Sequence, residues 1–394
     1  MAGDRGYDFV LFGATGFTGG LTAEYLAEHA PPGARWALAG RSRAKLEAVR
    51  ERLAAINAAC ADLPLLWADA TDPGSLREVA ESAGVVITTV GPYLKYGEPL
   101  VAACARAGTD YVDLTGEPPF VDLMYLRYHD EAVRTGARLV HACGFDSIPY
   151  DLGVYFTVKQ LPEGSPMRVE GFVRAHGDLS GGTLHSAIGV MADMRSMGRA
   201  EKERRRVEPR PAGRRIRVSR RPVPHTRIGG GYTLPMPTID PLIVTRSAAA
   251  LDRYGPDFSY GHYVAVRRLA TAAGMVAGSA ATIALAQLPQ TRDLLLRFRS
   301  PGEGPGPEQR ARHWFKVTFV GEVTEGVNAG QRVVTEVSGG DPGYGETAKM
   351  LAESAMCLAY DDLPETAGQV TTAVAMGDAL TDRLVKAGIS FRVL

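Results

Sequence analysis

The first 160 residues alternate short apolar runs with longer stretches of helical period. Tyr7–Phe12 is an apolar-rich run that ends in a glycine turn, Gly13-Ala14-Thr15-Gly16-Phe17-Thr18-Gly19, and opens into a helical stretch over Leu21–Ala27. Further strands are predicted at Arg35–Gly40, Leu65–Asp69, Val85–Val90, Tyr111–Leu114 and Arg138–His141, with a helix through Cys60 between the second and third. Strands alternating with helices predict a parallel, doubly wound sheet. The polar, Gly/Pro-rich turns all follow strand C-termini, the edge at which such sheets bind ligands.

The pattern then changes. Met167–Val173, Trp314–Val323 and Arg332–Val337 alternate with period two, and the last two read as an antiparallel pair joined across Asn328-Ala329-Gly330. Gly339–Gly343 breaks the pattern, and helices are predicted over Glu346–Asp361 and Thr372–Ala387. The expected architecture is α/β: a Rossmann-type doubly wound parallel sheet in residues 1–160, an inserted α+β domain for substrate and dimerisation in 161–342, and C-terminal helices in 343–394 that return to the first domain. Two stretches stand out in the insert. Arg199–Arg221, the core of a basic insertion over 199–224, holds eleven Arg or Lys against three Glu and is broken by prolines. It reads as a partly mobile surface segment: a solvated insertion, a dock for an acidic carrier protein, or a contact with an anionic membrane. Leu269–Leu288 carries no charge and is long enough for a membrane span, but it is mostly Ala, Gly, Ser and Thr. Its Gly274 and Gly278 suit a close-packing face, in a packed helix or in one that, with the preceding basic segment, makes a peripheral membrane contact.

At 394 residues the chain can bury a large core, and its 45% hydrophobic and 22% charged residues are ordinary for a globular protein. Lys and Arg balance Asp and Glu at 44 each, which argues against a nucleic-acid partner. Cys60, Cys104, Cys143 and Cys357 have no metal-ligand spacing, so no metal site is expected. Scattered free cysteines and a charged N-terminus suggest a reduced, cytoplasmic compartment, with a peripheral membrane contact left open.

The chemistry concentrates at the strand ends. In the glycine turn, Gly13 permits the tight bend, Gly16 lets backbone approach a pyrophosphate, and Gly19 lets helix pack on strand. Ala14, Thr15, Phe17 and Thr18 complete this cradle. After the second strand, Arg41, Ser42 and Lys45 stand where a dinucleotide fold reads the adenosine ribose. Cations and a hydroxyl there, with no acid after Gly40, point to the 2′-phosphate of NADP(H). Asp69 is placed at the adenine edge. Val90-Gly91-Pro92-Tyr93 ends the fourth strand, where the nicotinamide half belongs, and Tyr93 reads either as a ring contact and proton donor or as an ordinary loop aromatic. Cys143-Gly144-Phe145 follows the sixth strand and completes the cofactor set. Asp146, Ser147 and Tyr150 come next and join Tyr93 as the candidate catalytic groups, Asp146 needing a raised pKa to donate a proton.

Two further motifs have alternatives. Tyr155-x-x-x-Lys159 matches the acid pair of short-chain dehydrogenases, but it follows the sixth strand rather than the fourth and reads instead as part of a domain-crossing helix. Ser180-Gly181-Gly182-Thr183 starts a helix to about Met197, either as a plain cap or as a receptor for a substrate anion or carbonyl.

Together, the glycine turn, Ala39-Gly40-Arg41-Ser42, Val90-Gly91-Pro92-Tyr93, Tyr111-to-Glu117 and Cys143-to-Pro149 resemble the saccharopine dehydrogenase-like oxidoreductases. Within these the chain is most similar to the trans-acting enoyl reductases of bacterial lipid and polyketide pathways. The resemblance resumes at Ser180–Thr183 and from Gly345 onward. It implies an NADPH-dependent reduction of an enoyl group on an acyl or polyketide-like substrate made by a separate synthase, with carrier tethering and a homodimer as open points. Tyr150 departs from the pattern, where a Ser is expected. Two rivals remain: a saccharopine-type imine or amino-acid dehydrogenase, and a non-catalytic NADP-binding protein associated with lipid.

Overall fold

The computed structural model describes residues 5–177, 194–219, 231–236, 238–266, 268–286, 291 and 304–394. The first sheet has seven parallel strands: β1 (Tyr7–Phe12), β2 (Trp36–Gly40), β3 (Leu65–Trp67), β4 (Ala83–Thr88), β5 (Asp110–Asp113), β6 (Arg138–Val140) and β13 (Gly368–Val370). Their order is β13-β6-β5-β4-β1-β2-β3, which reverses direction beside β1 as a doubly wound sheet must. Helices α1 (Phe17–His29), α2 (Arg43–Ile56), α3 (Pro73–Ser82), α4 (Tyr93–Tyr96), α5 (Glu98–Ala107) and α6 (Pro118–Thr135) fill the crossovers, and α7 (Ile148–Val158) follows β6. The central strands are buried on both faces: Phe9, Leu11, Val85 and Ile87 enter one core, and Val10, Val86 and Tyr111 the other. Each such side chain contributes about 1.5–3 kcal/mol on burial.

The second sheet holds β7 (Met167–His176), β8 (Arg215–Ser219), β9 (Tyr232–Pro235), β10 (Asp257–Val266), β11 (Trp314–Val323), β12 (Arg332–Gly339) and β14 (Ser390–Val393). The path is β14-β12-β11-β7-β10-β8, with β9 antiparallel to the C-terminal end of β10. The predicted hairpin is β11 and β12, with Phe319 opposite Thr335. Helix α7 packs on this sheet through Gly153, where a Cβ would stand 2.4 Å from the Phe319 ring. One helix thus belongs to the Rossmann chain order and to the core of the second domain.

Three expectations need correction. Residues 343–394 do not return to the first domain alone: β13 joins the first sheet and β14 the second. The helix expected over Thr372–Ala387 breaks into Thr372–Ala375 and Gly377–Lys386, because Gly377 takes φ +43° between them. Nor is the described part of the basic segment without structure. It folds into the helix Met194–Val207 and strand β8, and although Lys202, Arg205, Arg206 and Arg210 stay exposed, others of its arginines are tied into the fold. Arg204 is buried between Asp122 and Glu208, Arg214 donates to the carbonyls of Ala248 and Leu251, and Arg217 pairs with Asp257. Arg246 joins Glu208 at 2.7 Å and the Gln369 side chain at 2.6 Å, tying β13 to the insert. The helix predicted to start at Ser180–Thr183 lies outside the described residues up to 193.

The uncharged helix forms over Leu269–Ala286, but it is not the packed helix expected. Leu269 is 60% exposed and Val276 56%, and its described contacts are with β9 and β10. No helix among the described residues is long and apolar enough to cross a membrane.

Arg204→Met would leave the Asp122 carboxylate buried and unpaired. The expected cost is about 3–5 kcal/mol, read as a lower urea midpoint with an unchanged m-value.

Candidate active site

The strand ends of the first sheet build the site from three turns. At the first, Gly13 takes φ +104°, and a Cβ there would stand 2.6 Å from Thr89 Oγ1. Gly19 is tighter still, its Cβ falling 2.1 Å from the Gly13 carbonyl oxygen. Thr89 Oγ donates to that same carbonyl at 3.2 Å and pins the turn to the end of β4. Gly16 caps α1 without a side-chain hydrogen bond, so the first-turn N–H groups face outward to an anion. Thr15 and Gly16 are exposed and Ala14 is buried. The Phe17 ring meets Tyr344 edge-on, with centroids 4.8 Å apart, and the Thr18 carbonyl accepts the Thr22 hydroxyl at 2.9 Å. Both residues therefore shape the turn through packing and backbone.

At the second turn Ser42 is the N-cap of α2. Arg43 is turned toward Glu47 at 3.0 Å, but Arg41 and Lys45 are exposed and have no hydrogen bond or ion pair among the described residues. Asp69 Oδ1 accepts the Thr71 N–H at 2.8 Å and its hydroxyl at 2.7 Å. These bonds, with the Arg41 charge adding to them, hold the Asp69 carboxyl below its usual range. Two free cations beside a helix start fit a phosphomonoester on the ribose, and the open glycine cradle fits a pyrophosphate.

The third turn follows β4. Val90 donates its N–H to Thr88 Oγ1 at 3.2 Å, and the Gly91–Pro92 peptide is cis. Tyr93 differs from expectation. Its side chain is buried, its hydroxyl donates to the Thr88 carbonyl at 3.2 Å, and it accepts the Leu114 N–H at 3.1 Å. Burial, with the Asp113 charge adding to it, raises its pKa well above the usual range. Tyr93 thus braces β4 against β5, with the Phe120 ring of α6 5.7 Å from its own. Glu117, to which sequence reasoning gave no role, completes this brace by accepting the N–H groups of Tyr93 at 3.0 Å and Leu94 at 2.8 Å.

Asp113 organises the ends of β5 and β6. Its Oδ1 accepts from Thr115 N–H at 3.0 Å and Ala142 N–H at 2.9 Å; its Oδ2 contacts the Tyr111 hydroxyl at 2.9 Å and His141 Nδ1 at 2.7 Å. Ala142 is the one non-glycine residue with positive φ among the described residues, at +59°. Such outliers persist where the surroundings over-determine them, often at functional sites. Cys143 follows, its N–H on the Asp113 carbonyl at 2.7 Å and its buried thiol pushed up in pKa by desolvation. Gly144 fits where a Cβ would meet Leu114 at 2.7 Å, and Phe145 N–H donates to Thr347 Oγ1 at 3.2 Å.

This loop leads to Asp146, Ser147 and Tyr150. Asp146 is half-buried beside Gly116, whose Cβ would lie 3.2 Å from Oδ2. No hydrogen bond or ion pair reaches its carboxyl among the described residues, and burial raises its pKa. Ser147 Oγ is buried without a partner. The Tyr150 ring is enclosed between Phe145, 5.5 Å away, and His262 of β10, 4.8 Å away and perpendicular. Asp146 and Tyr150 are therefore close enough to act on one another, with Ser147 between them in the chain, while Tyr93 is engaged between β4 and β5. Lys159 turns to Asp378 at 2.6 Å and Tyr155 stacks on Tyr254, so that pair serves α7 packing.

Arg41→Ala is expected to weaken NADPH binding by about 10–100-fold, the worth of a charge-assisted hydrogen bond, and to leave NADH binding nearly unchanged. Fluorescence titration of both nucleotides checks this, and equal losses for the two would remove Arg41 from 2′-phosphate recognition.

Residues 9–140 match the saccharopine dehydrogenase NADP binding domain, which makes NADP(H) the cofactor of the first sheet. A Mycobacterium tuberculosis protein named provisionally as a trans-acting enoyl reductase is 40% identical over 420 residues, covering 98% of this chain and 97% of its own. The trans-acting enoyl reductase of Mycobacterium ulcerans is 37% identical over 417 residues with the same coverage. Among solved structures, apo saccharopine dehydrogenase (L-Glu forming) from Saccharomyces cerevisiae superposes with a TM-score of 0.55 at 13% identity, covering 99% of this chain and 100% of that one, which is a likeness of fold. The chain belongs to the trans-acting enoyl reductase family and is an NADP-dependent oxidoreductase with a saccharopine dehydrogenase-type NADP-binding domain.

Proposed function

We propose that the protein reduces the C=C bond of an enoyl thioester on an acyl or polyketide-like chain built by a separate synthase. The observation that carries this reading is the charge of the cleft end. Asp146, Tyr150 and Asp240 lie together, and no cation offsets the burial of any of them among the described residues. A saccharopine-type substrate brings several carboxylates and needs arginines to meet them. Here Arg204 and Arg246, buried arginines of the insert, are engaged by Asp122 and Glu208. A neutral enoyl thioester suits a cation-free, acid-bearing cleft.

NADPH supplies the hydride, delivered to the β-carbon of the enoyl group. Arg41 and Lys45 hold the 2′-phosphate end, and the Gly13–Gly19 turn holds the pyrophosphate. The Asp113-anchored loop sets Asp146 at the reacting end, with Ser147 and Tyr150 closing the wall behind it. Asp146, whose pKa is raised by burial, gives a proton to the α-carbon as the enolate collapses, and solvent restores it.

The exposed apolar helix Leu269–Ala286 favours a second role alongside this one, a peripheral contact with membrane or with a lipid-bearing partner. Flotation with anionic vesicles is expected to carry the protein upward, and to lose it on Val276→Asp; no flotation sinks the membrane form of this contact.

The reaction is tested by mixing the protein with NADPH and crotonyl or longer enoyl thioesters, free and carrier-bound, and following NADPH loss together with the mass gain of two hydrogens. Oxidation of NADPH by imines of keto acids, and not by enoyl thioesters, would support the saccharopine-type rival instead. Asp146→Asn is expected to lower kcat by about 10²–10⁴-fold, the usual worth of a general acid, with NADPH affinity unchanged.

A further inference from the structure

The second domain brings two polar side chains to the Asp146–Tyr150 end. Asp240 opens the helix Asp240–Ala250, and His262 stands in the middle of β10. Both are 2% exposed. His262 Nδ1 is satisfied by the Tyr260 hydroxyl at 2.8 Å, and its Nε2 faces Asp240 Oδ2 at 3.5 Å. Among the described residues Asp240 Oδ1 and His262 Nε2 have no hydrogen-bond partner, although each is enclosed. Buried polar atoms are rarely left bare, so two on neighbouring side chains call for a reason beyond packing. His262 also forms the wall against which the Tyr150 ring stands.

Resting on the enoyl-reduction reading, we propose that Asp240, seated by His262, is the hydrogen-bond donor that holds the carbonyl oxygen of the thioester as negative charge develops on it. Hydride addition at the β-carbon sends the C=C electron pair toward that oxygen and makes an enolate. The enolate needs a donor aimed at the oxygen and an acid aimed at the α-carbon. Asp146 serves as the acid. Asp240 suits the other task because burial, and then the nearby Asp146, raise its pKa well above the usual range, against the lowering effect of a Thr238 hydrogen bond, and so favour the protonated carboxyl. A carboxyl held neutral by an apolar site can donate where a carboxylate cannot. His262 is a positioning residue. Burial lowers its pKa to about 3, so it remains a neutral ring. A neutral imidazole that accepts the Tyr260 hydroxyl at Nδ1 carries its proton on Nε2, turns it toward Asp240 Oδ2, and leaves the single O–H of the carboxyl free for the substrate. The enolate then collapses, taking the Asp146 proton at the α-carbon and releasing the Asp240 hydrogen bond, so atoms and electrons balance.

The test uses the full chain with NADPH and an enoyl thioester. Asp240→Ala is expected to lower kcat by about 10²–10³-fold, the worth of one oxyanion donor, with KM and NADPH affinity within about threefold. Asp240→Asn, which keeps an N–H donor, is expected to recover at least tenfold of that loss, a rescue that a purely structural role would not produce. His262→Gln is expected to fall between the two. Asp240→Ala turning over at the unaltered rate would overturn the proposal, as would Asp240→Asn no better than Asp240→Ala with both proteins folded and binding NADPH. Infrared difference spectra supply an arm independent of substrate and of the enoyl reading. A carboxylic-acid C=O band at neutral pH that vanishes in Asp240→Asn supports the proposal, and an ionised Asp240 overturns it. Absence of enoyl turnover by the unaltered protein, with that band present, would count against the enoyl reading and not against Asp240 as a neutral donor.

Discussion

The Asp113 carboxylate is the constraint on which the site depends. One fully buried side chain takes hydrogen bonds from two backbone N–H groups and contacts Tyr111 and His141. An isolated carboxylate at that depth would be prohibitively desolvated, and these contacts are what make its burial tolerable. The consequence is geometric. Ala142 is drawn to Oδ1 in a backbone conformation that alanine avoids, and Cys143 hangs from the Asp113 carbonyl. The loop leaving β6 is thereby aimed across the strand ends rather than back along the sheet. Asp146, Ser147 and the start of α7 follow from that direction. Because α7 packs on Phe319 and Val337 of the second sheet, the same clamp fixes where the two domains meet.

The Rossmann half was legible because its signals are local. Gly13, Gly16 and Gly19 each answer a steric demand that acts within a few residues, and the buried strands declare themselves as apolar runs. β13 was invisible for the opposite reason. Gly368–Val370 is three residues long and becomes a strand only because β6 offers an open edge and Arg246 holds Gln369 in place. β14 is likewise made by its partner β12. Charge misled in a related way. The run around Arg204 looks like a solvated face in sequence, yet Asp122, 82 positions away, draws Arg204 inside. Tyr93 follows the fourth strand, and its side chain is turned inward. Nothing in Gly91-Pro92-Tyr93 says that Phe120 and Leu114 will turn the ring inward.

The candidate site shows the same division. The cofactor end lies on one continuous stretch of chain, and its residues could be named from spacing. Asp240 and His262 come from the insert, and their only sequence marks are a helix start at Asp240-Pro241 and a histidine in an alternating strand. Neither mark separates them from ordinary capping or packing. They become a pair because β10 lies beside β7, and because α7 leads Tyr150 across from the first domain to meet them.

This arrangement also explains why acid groups can crowd together without a cation. Burial raises the resistance of Asp146 and Asp240 to ionisation, and the Asp146 charge adds to it at Asp240. An arginine placed between them would relieve the desolvation and would also ionise both, ending their use as donors at neutral pH. The absence of a compensating cation among the described residues is therefore consistent with chemistry in which charge appears only in transit, on an oxygen that is neutral before and after the reaction. The histidine fits that logic as well. A ring too deeply buried to be charged can orient a carboxylic acid, whereas an imidazolium in its place would take the proton's role away from the acid it holds.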